Sequence, residues 1–202
     1  MTASSIKQVL RKQIIAQREQ LSPDVRAALS AKITARILQL PAYQQAQAVL
    51  GYMNFGTEFA SELWIKQALA EGKKLALPRV NRHTMQLDLF WVDDLENQLA
   101  AGMWGIREPV VERCERVATV FEVEFALLPG VAFTRDGGRL GYGGGFYDKL
   151  LAQLQDAPSA QCPALVAAAF TMQFVPELPL EATDVRVDCL VTEQEIIDCA
   201  RA

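Results

Sequence analysis

The segment RLGYGGGFYDKLL, Arg139 to Leu151, places four glycines within five residues and follows them with Phe146, Tyr147, Asp148 and Lys149. Glycine costs backbone entropy wherever it is ordered, so a cluster between apolar runs means that the chain turns sharply or meets a ligand closely. A loop that feeds a helix offers unpaired backbone N–H groups and the positive end of the helix dipole. Glycines allow a phosphate to approach those donors. Arg139 adds a planar, forked and permanent positive charge at the loop entrance. Asp148 is a hard oxygen donor of the kind that suits magnesium beside phosphates, and Lys149 supplies a second cation. Together these residue types suit a magnesium–nucleoside triphosphate.

The segment is neither of the common nucleotide motifs. No lysine followed by Ser or Thr closes it, as a P-loop requires, and Phe146 stands where G-x-G-x-x-G needs its third glycine. A tight glycine turn that binds nothing is the plain alternative, and Asp148 would then be a residue that complements a helix dipole.

Other candidate chemistry is sparse. His83 is the single histidine and lies in the polar stretch RVNRHTMQ, which reads as a surface turn, so neither a histidine zinc site nor a Ser-His-Asp triad is expected. Cys114, Cys162, Cys189 and Cys199 are scattered and are expected to be reduced. Basic residues gather near the start of the chain (Lys7, Arg11, Lys12, Arg18) and again at Lys73, Lys74, Arg79 and Arg82. Such groups suit a compact anion and equally suit a solvated helix face.

These residues need a scaffold. Residues 5–20 read as a helix with Ile6, Val9, Leu10 and Ile14 on one side and Lys7, Arg11 and Arg18 on another. Ser22 and Pro23 start a second helix, with Leu29, Ile33 and Ile37 repeating at spacing four. Then AVLGYM, KKLALPRV, MQLDLFWV, EFALLPGV, PALVAAAF and VDCLVT read as strands, separated by the helices ASELWIKQALAEG and FYDKLLAQLQ, with a last helix after VDCLVT. That alternation predicts an α/β fold: a three-layer α/β/α arrangement with a mostly parallel central sheet and helices on both faces. The glycine loop would then lie beyond the carboxyl ends of the strands, where ligands settle in such sheets.

The chain has 202 residues, a net charge of −4 and about half apolar residues, which fits a single domain over residues 1–202. The charge argues against a broad nucleic-acid surface. No apolar run is long enough to span a bilayer and the first residues are polar, so a cytoplasmic protein that does not bind membranes is expected.

The segment LLPGVAFTRDGGRLGYGGGFYDKLL also resembles the signature of the 5-formyltetrahydrofolate cyclo-ligase (methenyltetrahydrofolate synthetase) family, and the likeness runs along essentially the whole chain. It includes Lys7-x-x-x-Arg11, YMNFGTEFAS, LALPRV, WGIREP and TDVRVDCLVT in matching order. The resemblance implies an enzyme that converts ATP and 5-formyltetrahydrofolate to 5,10-methenyltetrahydrofolate, ADP and phosphate with magnesium, expected to be monomeric. It implies that Lys7, Arg11 and the run Arg139, Leu140, Gly141, Tyr142, Gly143, Gly144, Gly145, Phe146 and Tyr147 bind ATP. Met53, Glu58 and the stretch Tyr142 to Phe146 would line the folate, Asp148 and Asp184 would ligate magnesium, and Arg139 and Lys149 would serve catalysis. Some relatives carry basic residues inside the loop, where this chain has Tyr142 and Gly144.

Each role has a structural rival. Met53 suits a core, Glu58 the first turn of the ASELW helix and Asp184 a turn. The rival functions are a nucleotide- or folate-binding protein without turnover on the same fold, and an unrelated phosphosugar-handling α/β enzyme.

Overall fold

The computed structural model describes residues 2–199 apart from 155, 156, 159, 160 and 182. Helix α1 (Ala3–Glu19) is capped by the Thr2 hydroxyl. Helix α2 (Pro23–Ile37) is capped by Ser22 with proline at its start, as the sequence predicts. The short α3 (Pro41–Gln45) leads into β1 (Ala48–Leu50), and α4 (Glu62–Ala70) follows. Gly72, at φ 76°, turns the chain out of α4 into β2 (Lys74–Asn81), which pairs with β3 (Gln86–Val92).

The strands β4 (Leu99–Ala101) and β5 (Arg107–Pro109) form a small ribbon. Next come β6 (Phe125–Leu128) and a second ribbon, β7 (Ala132–Phe133) with β8 (Arg139–Leu140). Helix α5 (Phe146–Leu151) precedes β9 (Ala164–Ala168), β10 (Cys189–Val191) and β11 (Ile196–Asp198). Of the predicted helix FYDKLLAQLQ, a 3₁₀ turn continues α5 over Ala152–Leu154, and Gln155 lies outside the described residues.

The main sheet has the order β11-β10-β9-β6-β1-β2-β3. Its five central strands are mutually parallel, and the edge strands β3 and β11 are antiparallel to their neighbours. Alternation within the strands builds two cores. Val49, Leu75, Leu77, Phe125 and Val166 face α2, α3 and α4, where Trp64 and Tyr43 pack against Phe125. Leu50, Ala76, Ala126, Leu128 and Ala167 face the other way, onto Leu150 and Leu151 of α5 and the loop residues Val117, Val120 and Val123. The expected α/β fold is therefore present, with a thinner second helical layer.

Two local expectations are corrected. The helix expected after VDCLVT is the strand β11 instead. The Thr192 hydroxyl accepts hydrogen bonds from the Gln194 and Glu195 amides and closes a hairpin there. The far end of that predicted helix, residues 200–202, lies outside the described residues. Helix α1 does not lie on the main sheet. Its Ile14 packs with Val131, Ala132, Leu140 and Leu178 around the β7–β8 ribbon. The two sides expected of α1 also merge. Lys7, Arg11 and Arg18 turn inward with Leu10 and Ile14, while Val9 is exposed. No described helix is long and apolar enough to cross a membrane.

Candidate active site

Strand β1 pairs with β2 on one side and β6 on the other, so the chain reverses its direction of travel across the sheet at β1. A crevice opens at such a switch point beyond the carboxyl ends of the strands. Here it is a cavity of about 550 Å³. Tyr52 and Met53 after β1, Pro78 and Val80 of β2 and Pro129 after β6 reach into it.

One wall is the glycine loop: Gly141, Tyr142, Gly144, Gly145, Phe146, Tyr147, Asp148 and Lys149, with Arg139 at its entrance. The ribbon β7–β8 holds this loop out from the sheet, closed by the Gly137 and Thr134 turn bonds. TRDGG is thus the hairpin turn of the ribbon and not part of the cavity wall. Two glycines are called for by the backbone: Gly143 has φ 106° and Gly145 φ 63°, a conformation that L side chains rarely adopt.

The charges of this wall are paired. Arg139 is 2% exposed at its side chain and holds the Asp148 carboxylate at 2.5 Å. It also donates to the Pro129 carbonyl at 3.3 Å and lies 5.9 Å from the Tyr147 ring. Its buried Nε–H has no partner among the described residues. Lys149 donates to the Met85 carbonyl at 3.2 Å across the cavity mouth.

The opposite wall is mostly apolar, with the charged Arg107 and Glu108 beside Ile106, and comes from four separate stretches. Met53 and Phe55, Met85 and Leu87, and Trp104 and Ile106 line it together with Pro78 and Val80. Trp104 is 60% exposed and meets Phe146 edge-on at 6.1 Å. Set into this apolar end is Glu58, only 4% exposed. It accepts from the Phe55 amide at 2.6 Å and faces Arg18 and the Tyr142 hydroxyl. Burial pushes its pKa up, while the Phe55 amide and the Arg18 charge oppose that rise. Glu58 lies before α4, whose first-turn acid is Glu62, so the helix-dipole reading does not hold for it.

Several expected residues stand outside the cavity lining. Arg11 donates to the Gly141 carbonyl at 2.8 Å and backs Gly143 from behind. Lys7 is paired with Asp184 and Glu181, each at 3.1 Å. Asp184 also accepts the Glu181 amide, as a turn residue does. Leu140 is buried in the small core with Ile14. The second basic group is engaged elsewhere: Lys73 with the Ala46 carbonyl and Tyr43 ring, Arg79 with the Pro109 carbonyl. His83 is exposed in a turn.

Sequence reasoning gave Met85, Leu87, Trp104 and Ile106 no role in the site, although Trp104 and Ile106 lie in the WGIREP stretch. It also gave Arg18 no role beyond its basic group. Its spacing of eleven from Lys7 puts both on one helical stripe, and that was the available signal.

The 5-formyltetrahydrofolate cyclo-ligase family model matches residues 3–193. Among curated relatives, the mouse 5-formyltetrahydrofolate cyclo-ligase is 26% identical, covering 96% of each chain. The Saccharomyces cerevisiae enzyme of the same name is 30% identical over 92% of this chain and 94% of its own. The solved structure of 5,10-methenyltetrahydrofolate synthetase from Aquifex aeolicus superposes with a TM-score of 0.82 at 33% identity, covering 96% of this chain and 93% of that one. Matching sequence along nearly the whole length and matching backbone lead to one conclusion: this chain is an enzyme of the 5-formyltetrahydrofolate cyclo-ligase family.

Proposed function

We propose that this enzyme converts 5-formyltetrahydrofolate to 5,10-methenyltetrahydrofolate, using ATP and magnesium and releasing ADP and phosphate. The observation that carries the reading is one cavity with two unlike ends: a glycine loop with Arg139, Asp148 and Lys149, and an apolar end holding a buried carboxylate. The first suits a triphosphate; the second suits a flat heterocycle whose amino-pyrimidinone edge gives two hydrogen bonds to Glu58.

The formyl group explains the need for ATP. A formamide carbon is a weak electrophile and its oxygen a poor leaving group. Attack of that oxygen on the γ-phosphorus expels ADP and leaves an iminium phosphate. N10 of the folate then adds to the carbon, closes the ring, and phosphate leaves as N10 gives up its proton. All the nucleophiles belong to the substrates, so the protein's work is to position groups and neutralise charge.

In this reading Arg139, Lys149 and the loop amides from Gly141 to Tyr147 face the phosphates, while Leu140 anchors the loop in the small core. Met53, Glu58 and the Tyr142–Phe146 stretch face the folate. Arg11 stands behind the loop and adds positive potential there, whereas Lys7 would reach the phosphates only on leaving Asp184 and Glu181. Magnesium commonly keeps several waters and takes one or two carboxylates beside substrate phosphates. Asp148 at the cavity wall fits that mode, and the ion would supply charge neutralisation for phosphoryl transfer. Among the described residues no three His, Cys, Asp or Glu side chains gather into a metal cage, in keeping with an ion held largely by phosphate. Asp184, the other carboxylate in the resemblance, is engaged with Lys7.

The test is the growth of the methenyl-folate absorbance band with purified protein, 5-formyltetrahydrofolate and magnesium. Growth only when ATP is added is the expected result. No growth with ATP present, for a folded protein, would remove the reading.

A further inference from the structure

Arg18 lies one residue from the end of α1 and is 2% exposed. Burying a guanidinium costs several kcal/mol of solvation, and a well-packed apolar side chain at such a place is commonly as stable or more so. Helix α1 is already docked by Ile14 and Leu10 on the small core. Packing therefore gives no reason for an arginine at position 18; its contacts do.

The Arg18 Nη2 donates to the Tyr142 hydroxyl at 2.7 Å and its Nε donates to the Thr57 hydroxyl at 3.3 Å. The guanidinium lies 5.9 Å from the centre of the Tyr142 ring. The Tyr142 hydroxyl faces Glu58, and its ring meets Phe55 edge-on at 6.1 Å. Two elements thus converge on one buried cation: the glycine loop, through Tyr142, and the 55–58 segment, through Thr57 and Glu58.

The loop needs such a tether. Gly141, Gly143, Gly144 and Gly145 leave it little intrinsic stiffness. Besides Arg11 at the Gly141 carbonyl, Arg18 is its other side-chain anchor from α1.

Building on the function proposed above, we propose that Arg18 is a positioning residue that couples the two ends of the cavity. By holding Tyr142 and the Thr57–Glu58 segment in one arrangement, it lets ligand at the glycine loop favour ligand at the apolar end, and the reverse. The physical basis is shared ordering: the first ligand to fix the tether spares the second that cost, and the coupling is reciprocal.

The experiment measures the dissociation constant of 5-formyltetrahydrofolate with and without a non-hydrolysable ATP analogue and magnesium, for the wild-type protein, Arg18→Gln and Tyr142→Phe. The wild type is expected to bind folate at least about fivefold tighter with the analogue present, in the ordinary range of such couplings. In both variants that ratio should fall to within about twofold of one, and turnover at saturating substrates should fall less than the folate KM rises. A residue that only supported the fold would lower the melting temperature and the amount of active protein, leaving the ratio intact.

Should Arg18→Gln not fold, Tyr142→Phe decides alone, since it removes one hydroxyl from a ring that is 40% exposed. A wild-type ratio near one, or a Tyr142→Phe ratio equal to the wild type, overturns the proposal. Absence of methenyl product from the wild type would remove the functional reading and this one with it. Product formation with an unaltered ratio would remove this one alone.

Discussion

The two walls of the cavity are made in opposite ways. The glycine wall is one continuous segment, Arg139 to Lys149, whose charges are already matched to each other in Arg139–Asp148. The apolar wall is assembled from residues near 53, 79, 86 and 105, which meet only because β1, β2, β3 and the β4–β5 ribbon end at one place. It carries two buried acids, Glu58 and Glu108, and burial raises the pKa of Glu58. A contiguous wall concentrates its chemistry in the order of residues, whereas a dispersed wall holds its chemistry in the topology. Substitutions should separate the two: changes in the first wall act on ATP and turnover, and changes in the second act on folate.

The largest effect is expected at Asp148. Replacement by alanine would leave the buried Arg139 charge without its counter-ion, a loss that commonly costs a few kcal/mol of stability. Asp148→Asn is the cleaner variant, because the amide oxygen still accepts from the guanidinium. Charge neutralisation at transferring phosphoryl groups has a large effect on rate, so ATP-dependent turnover should fall by about 100-fold or more. The melting temperature should move by only a few degrees. Full activity in that variant would take Asp148 out of the site.

Arg139→Ala comes next. The partner it abandons, Asp148, is about a quarter exposed and can turn to water, so the fold should tolerate the loss. Charge-assisted hydrogen bonds to phosphate are worth roughly 1.5–3 kcal/mol, which predicts a rise of about tenfold or more in the KM for ATP. An unchanged KM for ATP would show that the loop is not a phosphate cradle, whatever its glycines suggest.

The legibility of the two walls follows from the same contrast. Ser22 and Pro23 announce α2, and Leu87, Leu89 and Trp91 announce β3, because capping and period-two burial are local effects. The glycine loop was readable for the same reason. Trp104 and Met85 were not, since each is an exposed apolar residue in a turn with φ near 55° and acquires meaning only from what lies across the cavity. The misread of α1 was different in kind. Its basic residues were assigned to a side of their own, yet Lys7, Arg11 and Arg18 repeat on the buried stripe with Ile14. Polar partners — Asp184, the Gly141 carbonyl and Tyr142 — let charge sit where pattern reasoning expects apolar side chains. The terminal helix failed on a turn residue, Thr192, whose hydroxyl satisfies two amides in a hairpin.

Lys149 tests the border between the walls. Its ammonium belongs to the glycine segment but bonds the Met85 carbonyl on the far side. As an exposed group it is screened by water, and Lys149→Ala should raise the KM for ATP only a few-fold. A drop in turnover as large as that of Asp148→Asn would instead make it part of the transfer step.

Glu58 gives the smallest expected loss of turnover and the sharpest contrast. Glu58→Gln exchanges a carboxylate for an amide whose NH₂ group would face the Phe55 amide or the Tyr142 hydroxyl. The folate KM should rise by about tenfold, with the ATP KM and turnover at saturation changing less. The pH profile supplies the independent check. Because burial raises the Glu58 pKa above its ordinary value of 4.5, the carboxylate needed for folate is lost earlier on acidification than an exposed glutamate would be. The folate KM of the wild type should therefore climb as pH falls from neutrality toward that raised pKa, and the neutral glutamine variant should lack this climb. Tyr52, Tyr142 and Tyr147, which also face Glu58, have their own pKa values pushed upward and stay protonated through this range. A climb that persists in Glu58→Gln would have to arise from another group and would refute the assignment of the apolar wall to folate through Glu58.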